Sequence, residues 1–524
     1  MLFAALLMLQ ATLFAQPDPN PSPAVKDFAG TLSFLASGWM EGREAGTRGG
    51  FMAADYIASM MQLNGLVSFG NQKQHSYFQD FEVLKYKTGK AALAIIQRNG
   101  PSHSALQLVY GIDFDVSSGP RNVDAEAPLV FAGYGISAAG NGYDDYKGLN
   151  VKGKIVIVLD GFPGDADTNS IAWRKFGKLF GAGKFSPETK LRLAKKHGAI
   201  ALLQVTNDAD AGPFQHSLSN QVLLSSAMNS DKPAEPDYGN TSYILPHDTA
   251  NAAIPYFRLG KSASEQLMDG TGINLAVYRK NAARLSAPSL FPVRDKVIKF
   301  SVTVKTESLL VRNVLGILPG KDSTKTIIIG AHYDHLGMRD NVIYYGSDDN
   351  ASGVAGMLAL AANRAQRGIK PPCNILFASW TAEEKGLLGS AYFVQQMDTH
   401  PENILLYINL DMISRSVASD TARRQLSIGT RTEDGFLREM ARKRNTPLSR
   451  PFELDLWDVT GHSGSDYASF TERNIPIMTY NSGLHDDYHT PRDIAANADP
   501  EKMKDILKVV NGCLQDFLEG KRGK

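Results

Sequence analysis

Cysteine is scarce in this chain of 524 residues, which contains only Cys373 and Cys513. Two cysteines allow at most one disulfide bond, so a disulfide-rich scaffold is excluded. A zinc site built from several thiolates is excluded for the same reason. Any metal site in this protein must therefore be built mainly from histidine and carboxylate ligands.

An excess of charge of one sign is also missing. The chain has 55 Lys and Arg against 54 Asp and Glu, a formal net charge of +1. A nucleic-acid-binding surface shows as a clustered basic excess, so no nucleic-acid partner is predicted. The composition, 43% hydrophobic and 21% charged, is that of a globular protein. The chain exceeds the length at which a single hydrophobic core keeps growing, so two domains are expected.

Long apolar runs are absent apart from the N-terminus, which is apolar from Leu2 to Ala15 and then turns Pro-rich. The run is too short to span a bilayer, so no stable membrane insertion is expected. It predicts a signal peptide over residues 1–15, and hence a periplasmic or secreted protein. No Lys or Arg precedes the run, and a disordered leader is the alternative interpretation.

The last part of the chain, residues 288–520, alternates apolar runs with amphipathic helical patterns. The predicted strands are Val311–Leu318, Thr326–Ile329, Ile375–Trp380, Leu405–Leu410 and Ile475–Tyr480. The predicted helices are Ser352–Arg367, Glu384–Met397, Asp434–Arg444 and Pro500–Leu518. Such alternation predicts an α/β fold with a mainly parallel central sheet and helices on both faces.

Two further segments precede this region. Residues 24–124 are predicted to form the N-terminal part of the same domain, with a helical pattern that ends at Gly65. Residues 125–287 have short apolar strands bounded by Gly and Asp, such as Lys154–Leu159, and are predicted to be an inserted β-rich domain.

Five short stretches of the last two hundred residues carry metal-binding residue types, several of them directly after a predicted strand. They are His332-Tyr-Asp334, Asp348-Asp349-Asn350-Ala-Ser-Gly353, Glu383-Glu384, Asn409-Leu-Asp411 and Tyr488-His489-Thr-Pro491. Ligands of such sheets bind beyond the carboxyl ends of the strands. We therefore expect these stretches to converge on one site.

Each stretch alone has a plainer interpretation. The Asp348 stretch resembles a capping loop, and Glu383-Glu384 resembles the first turn of a helix. Asp411 is harder to dismiss, because an acid at the end of an apolar strand is costly unless it is paired or binds metal. Together the stretches supply imidazoles and carboxylates that suit zinc, with manganese or cobalt as substitutes, and one carboxylate free to act as a general base.

The order and spelling of these stretches resemble the co-catalytic di-zinc aminopeptidase family of clan MH. That family includes bacterial leucyl aminopeptidases, aminopeptidase Y and glutamate carboxypeptidase. The resemblance runs from about Phe28 to the C-terminus and includes Glu41-Gly42-Arg43. It implies the zinc exopeptidase, phosphorylase/hydrolase-like fold. Residues 125–287, with Gly133-Tyr-Gly135, look like the protease-associated domain that such enzymes carry as an insert.

The resemblance also implies a role for each donor. Two zinc ions would hold a hydroxide between them, activated by the general base. The implied roles are a bridging carboxylate (Asp349), one metal's ligands (His332, Asp411), the other's (Glu384, His489), the general base (Glu383), a residue that orients His332 (Asp334) and an oxyanion donor (Tyr488). The sequence departs from the family at Ser414, where glycine is usual, and at Tyr467, where histidine is frequent.

The function implied is that of a zinc metallopeptidase, an aminopeptidase that removes N-terminal residues from peptide substrates. A carboxypeptidase or dipeptidase on the same metal core is the alternative, because the ligands do not choose which peptide end is held. A receptor-like binding protein that has lost its metals is disfavoured, because every ligand position and Glu383 are present.

Overall fold

The computed structural model of the chain describes residues 23–99, 102–138, 142–180, 186–206, 241–286, 291–397, 401–459 and 464–521. The predicted signal peptide, residues 1–15, lies outside these residues. The chain divides into two compact units. Unit 1 consists of Met1–Glu82 and Leu310–Lys524, and unit 2 of Val83–Leu309.

The described residues include strands of very different lengths. In chain order they are β1 Val67–Ser68, β2 Phe78–Asn99, β3 Ser102–Leu108, β4 Phe114–Ser117, β5 Val123–Phe131, β6 Ser137–Ala138, β7 Tyr143–Asp144, β8 Ile155–Leu159, β9 Ala201–Val205, β10 Ser242–Ile244, β11 Tyr256–Leu259, β12 Phe291–Leu318, β13 Asp322–His332, β14 Gly337–Arg339, β15 Val342–Tyr344, β16 Cys373–Trp380, β17 Ile404–Leu410, β18 Gln425–Thr430, β19 Glu453–Asp458 and β20 Ile477–Asn481.

The helices fall between these strands. They are α1 Ala29–Leu35, α2 Arg48–Leu63, α3 Ile171–Phe180, α4 Pro187–Lys196, α5 Lys261–Met268, α6 Leu275–Ala283, α7 Gly353–Gln366, α8 Leu388–Gln396, α9 Gly435–Asn445, α10 Tyr467–Thr471 and α11 Pro500–Leu518. Several begin at a side-chain cap: the side chain of Asp499 accepts a hydrogen bond from the backbone N–H of Lys502 at the start of α11, with Pro500 at the first position.

Unit 1 is built on a sheet with the order β19-β18-β20-β17-β13-β16-β12. The four central strands, β20, β17, β13 and β16, run parallel to one another. The end of β12 and the strand β18 pair antiparallel at the two sides of this group. The predicted α/β fold with a mainly parallel central sheet is therefore confirmed.

The core of unit 1 follows from its apolar strands. Every residue of β16 is buried, as expected for a strand covered on both faces. Helices α2, α7 and α11 pack on one side through residues such as Ile57, Leu358 and Leu507. Both cysteines, Cys373 and Cys513, are buried free thiols within this unit.

Unit 2 has a parallel group of its own, β5-β8-β9-β11, with β4 and β12 antiparallel at its sides. Its apolar core includes Ile157, Leu203 and Phe257. The predicted insert, residues 125–287, falls inside this unit. Among the residues described in either unit, no helix has both the length and the apolar character needed to cross a bilayer.

Candidate metal centre

The carboxyl ends of the parallel strands of unit 1 carry the candidate ligands. Strand β13 ends at His332, and β17 is followed directly by Asp411. Strand β16 leads into Glu383 and Glu384, and β20 leads into the loop that carries His489. These strands lie side by side in the sheet, so the loops that follow them meet at one edge.

The fifth stretch reaches the same edge from an irregular helical turn, Ser347–Ser352, which precedes α7. All six side chains of this turn are buried. The carboxylate of Asp493 accepts hydrogen bonds from the backbone N–H groups of Asp348 and Asp349, at 2.9 Å and 3.1 Å. The Asp349–Asn350 peptide bond is cis. Asp493 follows His489 in the same loop, so this loop holds the backbone that carries Asp349.

One group of donors consists of His332, Asp349 and Asp411. The Nε2 atom of His332 lies 3.3 Å from an oxygen of Asp349 and 3.3 Å from an oxygen of Asp411. Glu383 lies slightly farther away, with Oε2 at 4.0 Å from the same nitrogen. His332, Asp349 and Asp411 are all buried.

A second group consists of Asp349, Glu384 and His489, with His335 beside them. The Nε2 atom of His489 lies 3.1 Å from Oδ2 of Asp349 and 3.2 Å from Oε2 of Glu384. Oδ1 of Asp349 is the atom that faces His332, so this carboxylate offers one oxygen to each group. Asp349 therefore lies between the two groups.

The donor set fits metal ions on geometric grounds. Four ligands about 2.0–2.1 Å from a tetrahedral zinc ion are roughly 3.3 Å apart, close to the separations in both groups. Within the described part of the chain, Nε2 of His489 makes no hydrogen bond despite two oxygens at 3.1 Å and 3.2 Å. A ring nitrogen that faces two carboxylate oxygens in this way can serve as a metal ligand.

The electrostatics of the second group also favour a cation. Burial disfavours the protonated form of His489, yet the carboxylates of Asp349 and Glu384 outweigh burial and raise its pKa to about 10. A group of buried carboxylates that holds a proton this strongly attracts positive charge. A bound metal ion would supply that charge in place of the proton.

Glu383 lies close enough to His332 and Asp411 to form a set of possible metal donors with them, although its oxygen is the farthest from His332. Its backbone N–H donates to Oδ1 of Asp334 at 3.1 Å. Burial raises the pKa of the Glu383 carboxyl well above its usual value, helped by the carboxylates of Asp411 and Asp466 and opposed by His332. A carboxylate with a raised pKa, placed next to the ligands, is suited to accept a proton.

Asp334 is fully buried, and burial raises its pKa to about 6. Its backbone carbonyl oxygen lies 3.1 Å from Nδ1 of His332, whereas its carboxylate lies 3.9 Å from that nitrogen. The shorter contact with Nδ1 of His332 is thus made by the main chain of Asp334. The carboxylate holds the main chain of Glu383 instead. Its predicted orienting role stays a prediction.

Tyr488 stacks on the ring of His489, with 3.8 Å between the ring centroids. The side chain is half-buried, and burial together with the carboxylates of Asp349 and Glu384 raises its pKa above the usual value. The hydroxyl group therefore keeps its proton at neutral pH and can act as a hydrogen-bond donor.

Two residues to which the sequence alone assigns no role support the site. Arg43 is fully buried and donates to the carbonyl oxygens of four residues: Leu35, Tyr333, Tyr345 and Gly346. His335 joins the second donor group. Arg43 belongs to the Glu41-Gly42-Arg43 stretch, and His335 directly follows His332-Tyr-Asp334. Neither stretch indicates which distant residues these side chains contact.

A third addition is Asp466, whose side chain is fully buried in unit 1. Burial raises the pKa of this carboxyl to about 7, and the carboxylates of Asp334 and Asp411 act in the same direction. Its neighbour Tyr467 is also buried, and burial with the charges of Asp411 and Glu383 raises its pKa to about 12. Both residues therefore border the first donor group.

Histidine and carboxylate donors gathered at the carboxyl ends of parallel strands form the candidate metal centre of unit 1. Residues 313–513 match the family described as Peptidase family M28. The matched residues hold every donor of the two groups. The predicted metallopeptidase class and membership of the clan MH family are confirmed.

Curated relatives match different shares of the chain. A probable leucine aminopeptidase of Arthroderma otae is 26% identical over 288 residues, 52% of this chain and 78% of the relative. Leucine aminopeptidase 2 of Trichophyton rubrum is 32% identical over 206 residues, 38% of either chain. The chain therefore spans well under half the length of the second relative.

A solved structure shares the fold over almost the whole chain. The aminopeptidase from Aneurinibacillus sp. strain AM-1 has a TM-score of 0.52 and 20% identity, and the match covers 94% of both chains. At this identity the likeness concerns the fold alone.

Proposed function

We propose that this protein is a zinc aminopeptidase that removes N-terminal residues from peptides at a two-metal centre in unit 1. One observation carries the proposal: Asp349 offers one oxygen to His332 and the other to His489, so two donor groups share one carboxylate. The relatives from Arthroderma otae and Trichophyton rubrum are both named leucine aminopeptidases, which supports the choice of peptide end.

Each donor group would hold one zinc ion. His332 and Asp411 belong to one site, Glu384 and His489 to the other, and Asp349 to both. When bound, the ions would polarise the scissile carbonyl and make a water molecule more acidic. Manganese or cobalt could replace zinc, because oxygen and imidazole donors accept all three metals.

The proton transfers are assigned to Glu383. Its carboxylate lies beside the first donor group, with Oε2 at 4.0 Å from Nε2 of His332. It would accept a proton from the attacking water at a carboxylate oxygen and deliver the proton to the nitrogen of the leaving amine. The hydrogen bond from the backbone N–H of Glu383 to Asp334 holds the main chain from which the Glu383 side chain extends.

Tyr488 is assigned to the oxygen that becomes negatively charged during the reaction. Its hydroxyl keeps its proton, because burial and nearby carboxylates raise its pKa. A hydrogen bond donated to an oxygen that gains charge stabilises the transition state more than the substrate.

Arg43 does not offer a binding site for a substrate carboxylate. Its guanidinium group is fully buried and is already bonded to four carbonyl groups. The choice of the amino end therefore rests on the relatives that are named leucine aminopeptidases.

A panel of substrates tests the proposal. Aminoacyl p-nitroanilides with a free amino group should be cleaved, and the same compounds with an acetylated amino group should not. A chelator should abolish cleavage, and added zinc should restore it. Release of the C-terminal residue from N-blocked dipeptides would contradict the proposal and indicate a carboxypeptidase.

We further propose that the protein acts after export, with cleavage near Ala15. The apolar run from Leu2 to Ala15 and the Pro-rich segment after it support this. The N-terminus of the mature protein, sequenced from the periplasmic or culture fraction, should begin close to Gln16. An intact Met1 on the active protein would contradict the proposal.

A further inference from the structure

Unit 2 contains a cavity of about 270 Å³ that none of the metal donors lines. Three segments of the unit form its walls: the connection from β4 to β5, the connection from α4 to β9, and the segment that leads into β11. Much of the lining is apolar, with side chains such as Val123, Ile200 and Ile254. The cavity is therefore suited to the hydrocarbon part of a small ligand.

Two cationic side chains also line this cavity, Arg121 and Lys195. The guanidinium group of Arg121 donates to the hydroxyl oxygen of Thr249 at 3.4 Å. Nζ of Lys195 donates to the carbonyl oxygen of Ala252 at 2.7 Å. Burial lowers the pKa of the Lys195 ammonium group, and the nearby charge of Arg121 acts in the same direction.

The charge of these two side chains is not balanced within the cavity. No Asp or Glu is among the described residues that line it. The printed hydrogen bonds of Arg121 and Lys195 go to a hydroxyl group and a backbone carbonyl group, which are both neutral. Two neighbouring cations without an acid beside them attract an anion.

A buried hydroxyl group belongs to the same lining. Ser118 is 9% exposed, and within the described part of the chain its Oγ atom makes no hydrogen bond. A buried hydroxyl group that stays unpaired is costly, so a ligand that accepts its hydrogen bond gains affinity. Ser118 thus adds a neutral donor to the two cations.

Gly119 lets the connection from β4 to β5 lie against the segment that leads into β11. Its backbone N–H donates to the carbonyl oxygen of Ala253 at 3.1 Å. A β-carbon at Gly119 would lie 2.5 Å from that oxygen, a contact that only glycine avoids. This close approach holds the neighbours of Gly119, Ser118 and Arg121, at the wall of the cavity.

We propose that this cavity binds a small aliphatic carboxylate, whose charged end pairs with Arg121 and Lys195 and whose hydrocarbon part lies against the apolar lining. At roughly 30 Å³ for each water-sized group, the cavity holds about nine non-hydrogen atoms, enough for a branched six-carbon acid. A phosphate ion has no apolar part to fill such a lining. The inference goes beyond the proposed function, because it requires neither the metal centre nor a peptide.

Calorimetric titration of the full-length protein with 4-methylpentanoate tests the proposal. Two further probes separate the parts of this ligand: 4-methylpentanamide keeps its shape without the charge, and inorganic phosphate keeps a charge without the hydrocarbon part. Arg121→Gln removes one cation from the cavity. Arg192→Gln is the matched control, because Arg192 is exposed on α4, the helix of Lys195, and does not line the cavity.

We expect the parent to bind 4-methylpentanoate with a Kd of about 1 mM or below, and the amide and phosphate at least about tenfold more weakly. Loss of a hydrogen bond to a charged group should weaken binding about 10- to 100-fold in Arg121→Gln, and Arg192→Gln should stay within about twofold of the parent. Equal affinity for the acid and the amide, or unchanged affinity in Arg121→Gln, would overturn the proposal. Phosphate bound as tightly as the acid would overturn the choice of ligand.

Ser118→Ala tests the cavity from its buried side. The variant removes the unpaired hydroxyl group and should weaken binding of 4-methylpentanoate roughly 2- to 10-fold. Unchanged affinity would contradict the part assigned to Ser118, and circular dichroism confirms that each variant is folded. None of these measurements uses peptide cleavage, so failure of this inference and failure of the proposed function are seen separately.

Discussion

Glu383 and Glu384 are neighbours in the chain, but the structure gives their carboxylates different surroundings. Glu384 faces His489 and His335, with contacts of 3.2 Å and 2.8 Å. Glu383 points towards the other donor group, and burial and nearby carboxylates raise its pKa. Adjacent residues that leave a strand end in different directions can thus supply a ligand to one group and a base to the other.

Replacement of Glu383 tests the base. In Glu383→Gln we expect both zinc ions to be retained, because His332, Asp349 and Asp411 are untouched, and turnover to fall by several orders of magnitude, at least about 10²-fold. The measurement is kcat on an aminoacyl p-nitroanilide alongside zinc content. Near-normal kcat in a protein with full zinc content would show that Glu383 is not the base.

Replacement of Tyr488 tests the oxyanion donor. Tyr488→Phe keeps the ring that stacks on His489 and removes only the hydroxyl group. We expect kcat to fall roughly 10²- to 10³-fold with little change in KM. Tyr392→Phe, which alters a tyrosine stacked on Phe81, serves as the control. A rise in KM alone would mean that Tyr488 only binds substrate.

Individual residues show what the sequence could and could not reveal. All five predicted ligands lie in the two donor groups. They could be predicted because each belongs to a strand end or a turn that can be recognised from the local sequence. His335 was not predicted, because its contact with Glu384 joins residues 49 positions apart. Ser414 is similar: it was noted only as a departure, and in the structure its N–H and hydroxyl group both donate to Asp348.

At the scale of elements, the buried parallel strands were predicted best. Strands β13, β16, β17 and β20 each contain a short apolar run, and that pattern marks a strand segment covered on both faces. Strands β18 and β19 were missed. Residues of β19 are exposed or half-buried throughout, because it pairs only with β18 at the side of the sheet, so its sequence shows no continuous apolar run.

One helix began later than predicted. The pattern from Glu384 onwards was assigned to a helix, but α8 begins at Leu388. Gly386 and Leu387 have positive φ angles, 109° and 62°, so no regular helix runs from Glu384 through these residues. The irregular backbone between strand and helix is what directs Glu383 and Glu384 to separate groups.

Arg43 connects several elements and offers a test of how the site is held. Arg43→Met would leave four carbonyl oxygens without their donor, at a cost of roughly 1–3 kcal/mol for each buried group left unpaired. We expect a clear fall in the free energy of unfolding and weaker zinc retention. The measurements are denaturant unfolding and zinc content.

Arg48→Met is the matched control for Arg43→Met. Arg48 pairs with Glu41 at 3.1 Å, but its side chain is 71% exposed, and such surface pairs contribute about 1 kcal/mol or less. Equal stability losses in the two variants would contradict the assigned role of Arg43.

Asp145 gives unit 2 a defined pH dependence. Its carboxylate accepts hydrogen bonds from the backbone N–H groups of Tyr134 and Ile136. Burial raises its pKa from 3.8 to about 7. Between these values the folded state holds a proton that the unfolded state has released, so stability falls as pH rises from about 4 to about 7 and then levels off.

Asp145→Asn keeps an oxygen that accepts both hydrogen bonds but cannot ionise. Relative to the parent, it should gain stability as pH rises from about 4 to about 7, with roughly 4 kcal/mol as the upper limit for a shift of this size. Unfolding of both proteins across this range measures the difference. A difference that does not change with pH would contradict the assigned pKa.

At the scale of the molecule, all the donors of the described residues lie in unit 1, while unit 2 has its own core. A bound ion stabilises the structure that binds it, by about 2.7 kcal/mol when the free metal is at 100 times the Kd. We therefore expect a chelator to speed amide hydrogen exchange in β13 and β16 and to leave β8 and β9 unchanged. Equal effects in both units would contradict this.

The division of the chain was only partly visible in the sequence. The short apolar strands bounded by Gly and Asp that begin near residue 125 indicated a separate segment, and residues 125–287 lie within unit 2. Unit 2 nevertheless extends from Val83 to Leu309. Unit 2 also contains β3, which pairs antiparallel with β2. Composition does not identify such a partner, because strand pairing depends on the register between the two strands.

Zinc content measures the central proposal most directly. Full-length protein equilibrated with micromolar zinc and then passed into metal-free buffer should contain two zinc ions per chain. Asp349→Ala, which removes the carboxylate shared by both donor groups, should contain fewer than one. A parent protein with no bound zinc, or an Asp349→Ala variant that keeps both ions, would contradict the account.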